Sequence, residues 1–135
     1  MQDRPNPMEL VKAVAHLLQA TVLPQSGGRA AFEIRVAINA LELVARQLAS
    51  AAQTDCAERQ RLDELLGQTG SLVDLNRELC TRIASGIIDL TDEHLIRHLW
   101  ATTMEKLAVD QPSYVAFREE QLRNRGADHG LQSSA

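Results

Sequence analysis

The residues whose types and spacing come nearest to chemistry are His94 and His98, in "HLIRH". Two imidazoles at i and i+4 share a helix face and can ligate one metal ion. The segment lacks the internal glutamate of a His-Glu-x-x-His motif. Glu105 falls near the same face but lies two turns beyond His98, so a full ligand set would need another helix. The face otherwise reads as exposed, and no metal is expected. No paired Glu-x-x-His motif of a di-iron bundle occurs. Cys80 falls on an apolar face and reads as a core thiol. Cys56 sits near a helix start, where a thiol can be activated, but has no histidine nearby. There is no Gly-x-Ser-x-Gly motif, and "SGG" at 26–28 lacks the lysine and strand of a phosphate loop. No catalytic motif is found, so the reading leans away from an enzyme without deciding it, and no cofactor is expected.

A second set of residues is polar where the helix pattern is apolar. In "GRAAFEIRVAINALELVARQL", residues 28–48, Arg35, Asn39, Glu42 and Arg46 gather within an arc of roughly 60–80°. The rest of the turn is almost wholly apolar apart from Glu33 and Gln47. Asn76 lies in the middle of an apolar face made by Leu72, Leu75, Leu79, Cys80 and Ile83, and Arg82 flanks it. A buried amide must find partners or cost about 1–3 kcal/mol. Lys106 falls between Leu95 and Leu99 on a face that also holds Ile96, Trp100, Thr103 and Leu107. A lysine there must snorkel, pair or shift its pKa. Arg35, Asn39, Asn76, Arg82 and Lys106 could form one interhelical polar cluster. Such a cluster fixes helix register, the reading favoured here. Its three cations and two amides would also suit a carboxylate, a phosphate or an acidic partner segment.

These side chains need helices to position them, and helices are what the pattern provides. Glycine and proline fall between periodic segments, and no alternating strand pattern persists. Asn6, Pro7 and Glu9 mark the start of a first helix that ends near Pro24, with Leu10, Val14, Leu17, Leu18 and Val22 on its apolar side. A second runs from about Arg29 to about Gln53, and a third follows Asp55 as N-cap and stops at Gly67. Ser71 caps a fourth that closes at Gly86. Thr91, Asp92 and Glu93 open a fifth that Pro112 ends, and a short final helix runs to Arg123. The expected fold is all-α: an antiparallel bundle of five main helices plus a short C-terminal helix, with the second helix central. One domain is expected over residues 1–124, with a disordered tail at 125–135.

Composition narrows the function classes. The 135 residues are 44% hydrophobic and 24% charged, which suits a globular chain able to bury a core without staples. A net charge of −4 and only 3% aromatic residues speak against nucleic acid. No uncharged apolar run is long enough to span a bilayer, and "MQDRPNPMELVK" lacks the apolar core of a signal peptide. Two widely spaced cysteines fit a reducing compartment, and a cytoplasmic location is expected.

Several segments together resemble an uncharacterised bacterial family of small helical proteins: "MQDRP", "VLP" with "GRAAFEIRVAINALELVARQL", "DLNRELCTRI" and "HLWATTMEKLAVDQPSY". The resemblance extends to about Tyr114. Its pattern includes Arg35 with Asn39, Asn76 with Leu79 and then Arg82, and Lys106-Leu107 ahead of Pro112 and Tyr114. Members are typically encoded beside acyl-CoA dehydrogenases and aminoglycoside-phosphotransferase-like kinases. The resemblance implies a setting in acyl-CoA or hydroxyacyl metabolism, and no activity. The leading expectation is a non-catalytic accessory protein that works with a dehydrogenase or kinase-like partner and forms a possible homodimer. The alternative is a binding protein or enzyme that uses the five-residue cluster on a phosphate, carboxylate or acyl-CoA group.

Overall fold

The capping box read from "NPME" is present in the computed structural model, which describes residues 4–131, with side chains as far as Asn124. Asn6 Oδ1 accepts from the Glu9 amide, and Glu9 Oε2 accepts from the Asn6 amide, both at 2.9 Å. These two bonds satisfy orphan donors at the start of α1 (Pro7–Leu17). A π-helical turn (Leu18–Val22) and a 3-10 turn at Pro24 (Leu23–Gln25) end the segment, where the proline placed its stop. Then come α2 (Gly28–Leu66), α3 (Leu72–Ala84), α4 (Glu93–Asp110) and α5 (Val115–Leu131). Ser71 caps α3, and Asp92 caps α4 by accepting from the amides of His94 and Leu95. Gly67 and Gly86, at φ +66° and +75°, follow α2 and α3 in the left-handed conformation that ends a helix most cheaply at glycine. The described residues consist of helices and the turns between them and contain no strand, and none of these helices is long and apolar enough to cross a membrane.

Two expected boundaries move. The second and third helices are one: α2 runs for 39 residues through "QTDC". Thr54 does not break it, because its hydroxyl lies 3.2 Å from the carbonyls of both Ser50 and Ala51, inside the helix's own turn. With no glycine or proline there, Asp55 is a helix-interior residue rather than an N-cap. The final helix continues past Arg123 and Gly126 to Leu131, into the segment expected to be a disordered tail, and residues 132–135 lie outside the described residues.

The chain divides into two compact units, Met1–Thr54 and Asp55–Ala135. Within the first, the buried apolar side chains are Ala15, Ala31, Ile38 and Ala45. The three from α2 are spaced seven residues apart and so form one stripe. In the second, Leu62, Leu66, Leu75, Leu79 and Leu95 form a continuous core, with Leu65, Leu72, Ile83 and Ile88 packed against it.

The faces that bury differ from those the pattern favoured. On α1, Leu10, Val14 and Leu17 are exposed and Ala15 is buried. On α4, Ile96, Leu99 and Trp100 are exposed, and the buried positions are Leu95, His98 and Val109. His98, read as part of a solvated face, is thus on the inward side of α4, while His94 is exposed.

Candidate functional site

The five residues of the expected polar cluster divide between the units. Arg35 and Asn39 belong to Met1–Thr54 and are exposed on α2. Asn76, Arg82 and Lys106 belong to Asp55–Ala135. Asn76 is half-buried, and its amide nitrogen donates to Glu58 Oε1 at 2.8 Å and to the Leu72 carbonyl at 3.0 Å. Arg82 donates through Nε to Glu78 at 2.7 Å and through Nη1 to the carbonyl of Leu66 at 2.9 Å. Both α3 residues therefore tie α3 to the last turns of α2, and Arg82 satisfies one of the orphan carbonyls at that helix end. Lys106 is exposed on α4.

The more concentrated polar site of the second unit is one that the spacing did not identify. Arg61 on α2 meets Glu105 on α4 in a bidentate pair, Nη1 to Oε1 at 3.0 Å and Nη2 to Oε2 at 2.7 Å. Both side chains are about three-quarters buried, at 24% and 26% exposure, so the pair is less screened than a surface ion pair. His98 lies on the same inward face and is only 3% exposed. Burial, and then the Arg61 cation, push its pKa below the ordinary 6.5, while Glu58 and Glu105 pull the other way. The buried Nδ1 of His98 and Nε of Arg61 have no hydrogen-bond partner.

Beside this pair is a cleft of about 260 Å³ lined by Arg61, Glu64, Leu65, His94, Arg97 and His98. Arg97 approaches His94 Nδ1 at 3.3 Å and the Glu93 carbonyl at 3.3 Å. Among the described residues no group of three or more His, Cys, Asp and Glu is placed to hold a metal ion. Cys56 and Cys80 are free and exposed, which corrects the reading of Cys80 as a core thiol. The wheel grouped Cys80 with Leu75 and Leu79 in one apolar face, but α3 turns those leucines inward and leaves Cys80 outside.

One signal for the inward face of α4 was present in the sequence. Residues 95, 98, 102, 105 and 109 follow the three-four alternation of a helix packed along one side. That stripe contains His98, Thr102 and Glu105, and an apolar count passes over it in favour of Ile96, Leu99 and Trp100.

The first unit has a separate cleft of about 370 Å³, with Lys12, His16, Glu42 and Arg46 around Ala15, Ala45 and Ala49. Its polar side chains include two of the four residues that the wheel placed in one stripe of α2.

These sites define an all-helical protein whose polar side chains tie helices together and line two small clefts. The chain belongs to the family described as a domain of unknown function, DUF6285, whose pattern matches residues 24–114. The match ends at Tyr114, where the resemblance read from the sequence also ended, and it leaves out "MQDRP" and α1. No curated protein and no solved structure matches the chain.

Proposed function

We propose that this protein is a non-catalytic accessory protein that docks a partner protein. The partners that the sequence resemblance suggests are an acyl-CoA dehydrogenase and an aminoglycoside-phosphotransferase-like kinase. The observation that supports this reading is the exposed apolar surface of the first unit: Leu10, Val14 and Leu17 on α1, and Phe32, Val36, Leu43, Val44 and Leu48 on α2. Phe32 is 64% exposed, and large apolar side chains left exposed at helical spacing are a feature of interaction surfaces. The reading places the protein in the cytoplasm, away from nucleic acid and membranes. The helices would pack antiparallel to their chain neighbours with α2 central, as the short connections favour.

Co-expression with each candidate, followed by affinity capture and size-exclusion chromatography, tests the proposal. Co-elution with either one supports it. A chain that stays alone with both, and changes the activity of neither, overturns it. A homodimer that hides the apolar faces would also overturn the hetero-partner reading. A second reading, ligand binding by Arg35, Asn39, Asn76, Arg82 and Lys106, requires a ligand that competes with the bonds Asn76 and Arg82 already make to Glu58, Glu78 and two carbonyls.

A further inference from the structure

We propose that the cleft beside the Arg61–Glu105 pair is a binding site for a small oxyanion, a phosphate or carboxylate group on a compact molecule. It lies wholly within the second unit and is independent of the docking surface assigned to the first. Three observations carry it.

The first is the set of donors. The cleft gathers the guanidinium groups of Arg61 and Arg97 and the imidazoles of His94 and His98 against one carboxylate, Glu64. Arginine presents several N–H groups in a planar fork that matches two oxygens of a carboxylate or phosphate. Arg61 already engages Glu105 with both terminal nitrogens. That pairing fixes its guanidinium as part of the wall and uses two of its five N–H groups, which leaves Nε and one hydrogen on each terminal nitrogen as donors. Arg97 is exposed and makes only long contacts, at 3.3 Å, to His94 and to its own helix. The Arg97 N–H donates to His94 Nδ1, which leaves Nε2 as the donor of that ring.

The second is the unsatisfied pair. His98 is more than nine-tenths buried, yet its Nδ1 has no partner, and neither does Arg61 Nε. Leaving a buried donor unpaired carries a desolvation penalty, so native structures seldom tolerate two on adjoining side chains without a use. Both residues line the cleft, so its wall carries side chains with nitrogens whose bonding capacity nothing within the protein takes up.

The third is size. At about 260 Å³ the cleft is slightly below the roughly 300 Å³ where ordinary small-molecule sites begin. It takes inorganic phosphate, a short carboxylic acid or a phosphate monoester, and it is too small to enclose a whole acyl-CoA.

The test is titration of the full-length protein with inorganic phosphate, with acetate, and with chloride at matched ionic strength, followed by imidazole NMR signals and calorimetry. The expected result is saturable perturbation of His94 and His98 by phosphate or acetate at roughly millimolar concentration. Chloride should have no such effect. Stronger binding of phosphate or of acetate tells which oxyanion the site prefers. Arg97→Gln and His94→Gln alter exposed side chains and leave the fold intact, and each should weaken binding by about tenfold, while Arg118→Gln, outside the cleft, should not. No perturbation of the histidines, an equal response to chloride, or equal weakening by Arg118→Gln would overturn the proposal.

Discussion

In Met1–Thr54 the buried apolar side chains are three alanines and Ile38, whereas in Asp55–Ala135 leucines dominate, joined by Val109 and Phe117. Hydrophobic stabilisation scales with apolar area removed from water, at about 25 cal/mol per Å². Alanine contributes little of it and leucine much. The first unit leaves many of its large apolar side chains outside, with Leu10, Phe32, Val36 and Leu48 all exposed. The second unit places leucines inside and adds side-chain bonds between helices: Arg61 to Glu105, Asn76 to Glu58 and Arg82 to the Leu66 carbonyl. One region reads as a framework and the other as a surface, although both are built from the same kind of amphipathic helix.

The largest expected effect should come from cutting the leucine core. Leu75 is 1% exposed, and Leu75→Ala should cost about 2–5 kcal/mol through lost transfer energy and a residual cavity, measured by urea unfolding. A loss below about 1 kcal/mol would mean that the second unit is not the framework. Breaking the Arg61–Glu105 pair comes next. Glu105→Gln leaves Arg61 three-quarters buried without its counter-charge and should cost about 2 kcal/mol, discounted for partial exposure. Arg77→Ala, which removes an exposed pair with Asp74, should change stability by less than about 0.5 kcal/mol in the same assay.

The helical class, the capping box on α1, the N-cap at Ser71, the helix start at Thr91–Glu93 (where Asp92 proves to be the cap) and the stops at Gly67 and Gly86 were legible because they are local. Each depends on residues within one turn of one another. The inward face of α4 was not legible by counting apolar residues. Ile96, Leu99 and Trp100 outweigh a stripe that includes His98 and Glu105, and what makes that stripe inward is Arg61, 44 positions from Glu105 in the chain. The fusion of the second and third helices was misread for a related reason. Asp55 resembles a cap in sequence, but the helix backbone runs unbroken through it, and the Thr54 hydroxyl turns back to the carbonyls of Ser50 and Ala51. Of the five cluster residues, Asn76 was read as a buried amide in need of partners, and Arg82 as flanking the same face. The partners, Glu58 and the Leu66 carbonyl, could not be chosen from spacing alone.

A smaller effect follows from His98. Its pKa is lowered in the folded protein, chiefly by burial, so below the ordinary 6.5 the unfolded chain binds more protons than the folded one. Stability should accordingly fall as pH drops from about 6.5 toward the lowered folded value, by at most about 1.4 kcal/mol per pH unit for one proton. His98→Phe keeps much of the volume and removes the titration and the unpaired Nδ1. Thermal unfolding between about pH 5 and 7 should then lose this component of its slope, with stability at neutral pH unchanged or raised. A slope identical to that of the parent protein would show that His98 is not buried in this way.

The smallest expected effect on stability bears hardest on the comparison. Phe32→Ser combined with Val36→Ser changes two exposed apolar side chains of the first unit, and exposed positions away from caps and charges usually shift stability by no more than about 0.5 kcal/mol. Urea unfolding of the isolated chain should therefore be almost unaltered, while capture of a partner should be lost, because the removed area is what the partner would cover. The two readouts separate the possibilities. Lost capture with unchanged unfolding makes the first unit a surface. A cost of about 2 kcal/mol or more would make Phe32 and Val36 part of a core that the chain forms by itself. Unchanged capture would take the docking role away from α2 and leave the exposed leucines of α1 to be tested in the same way.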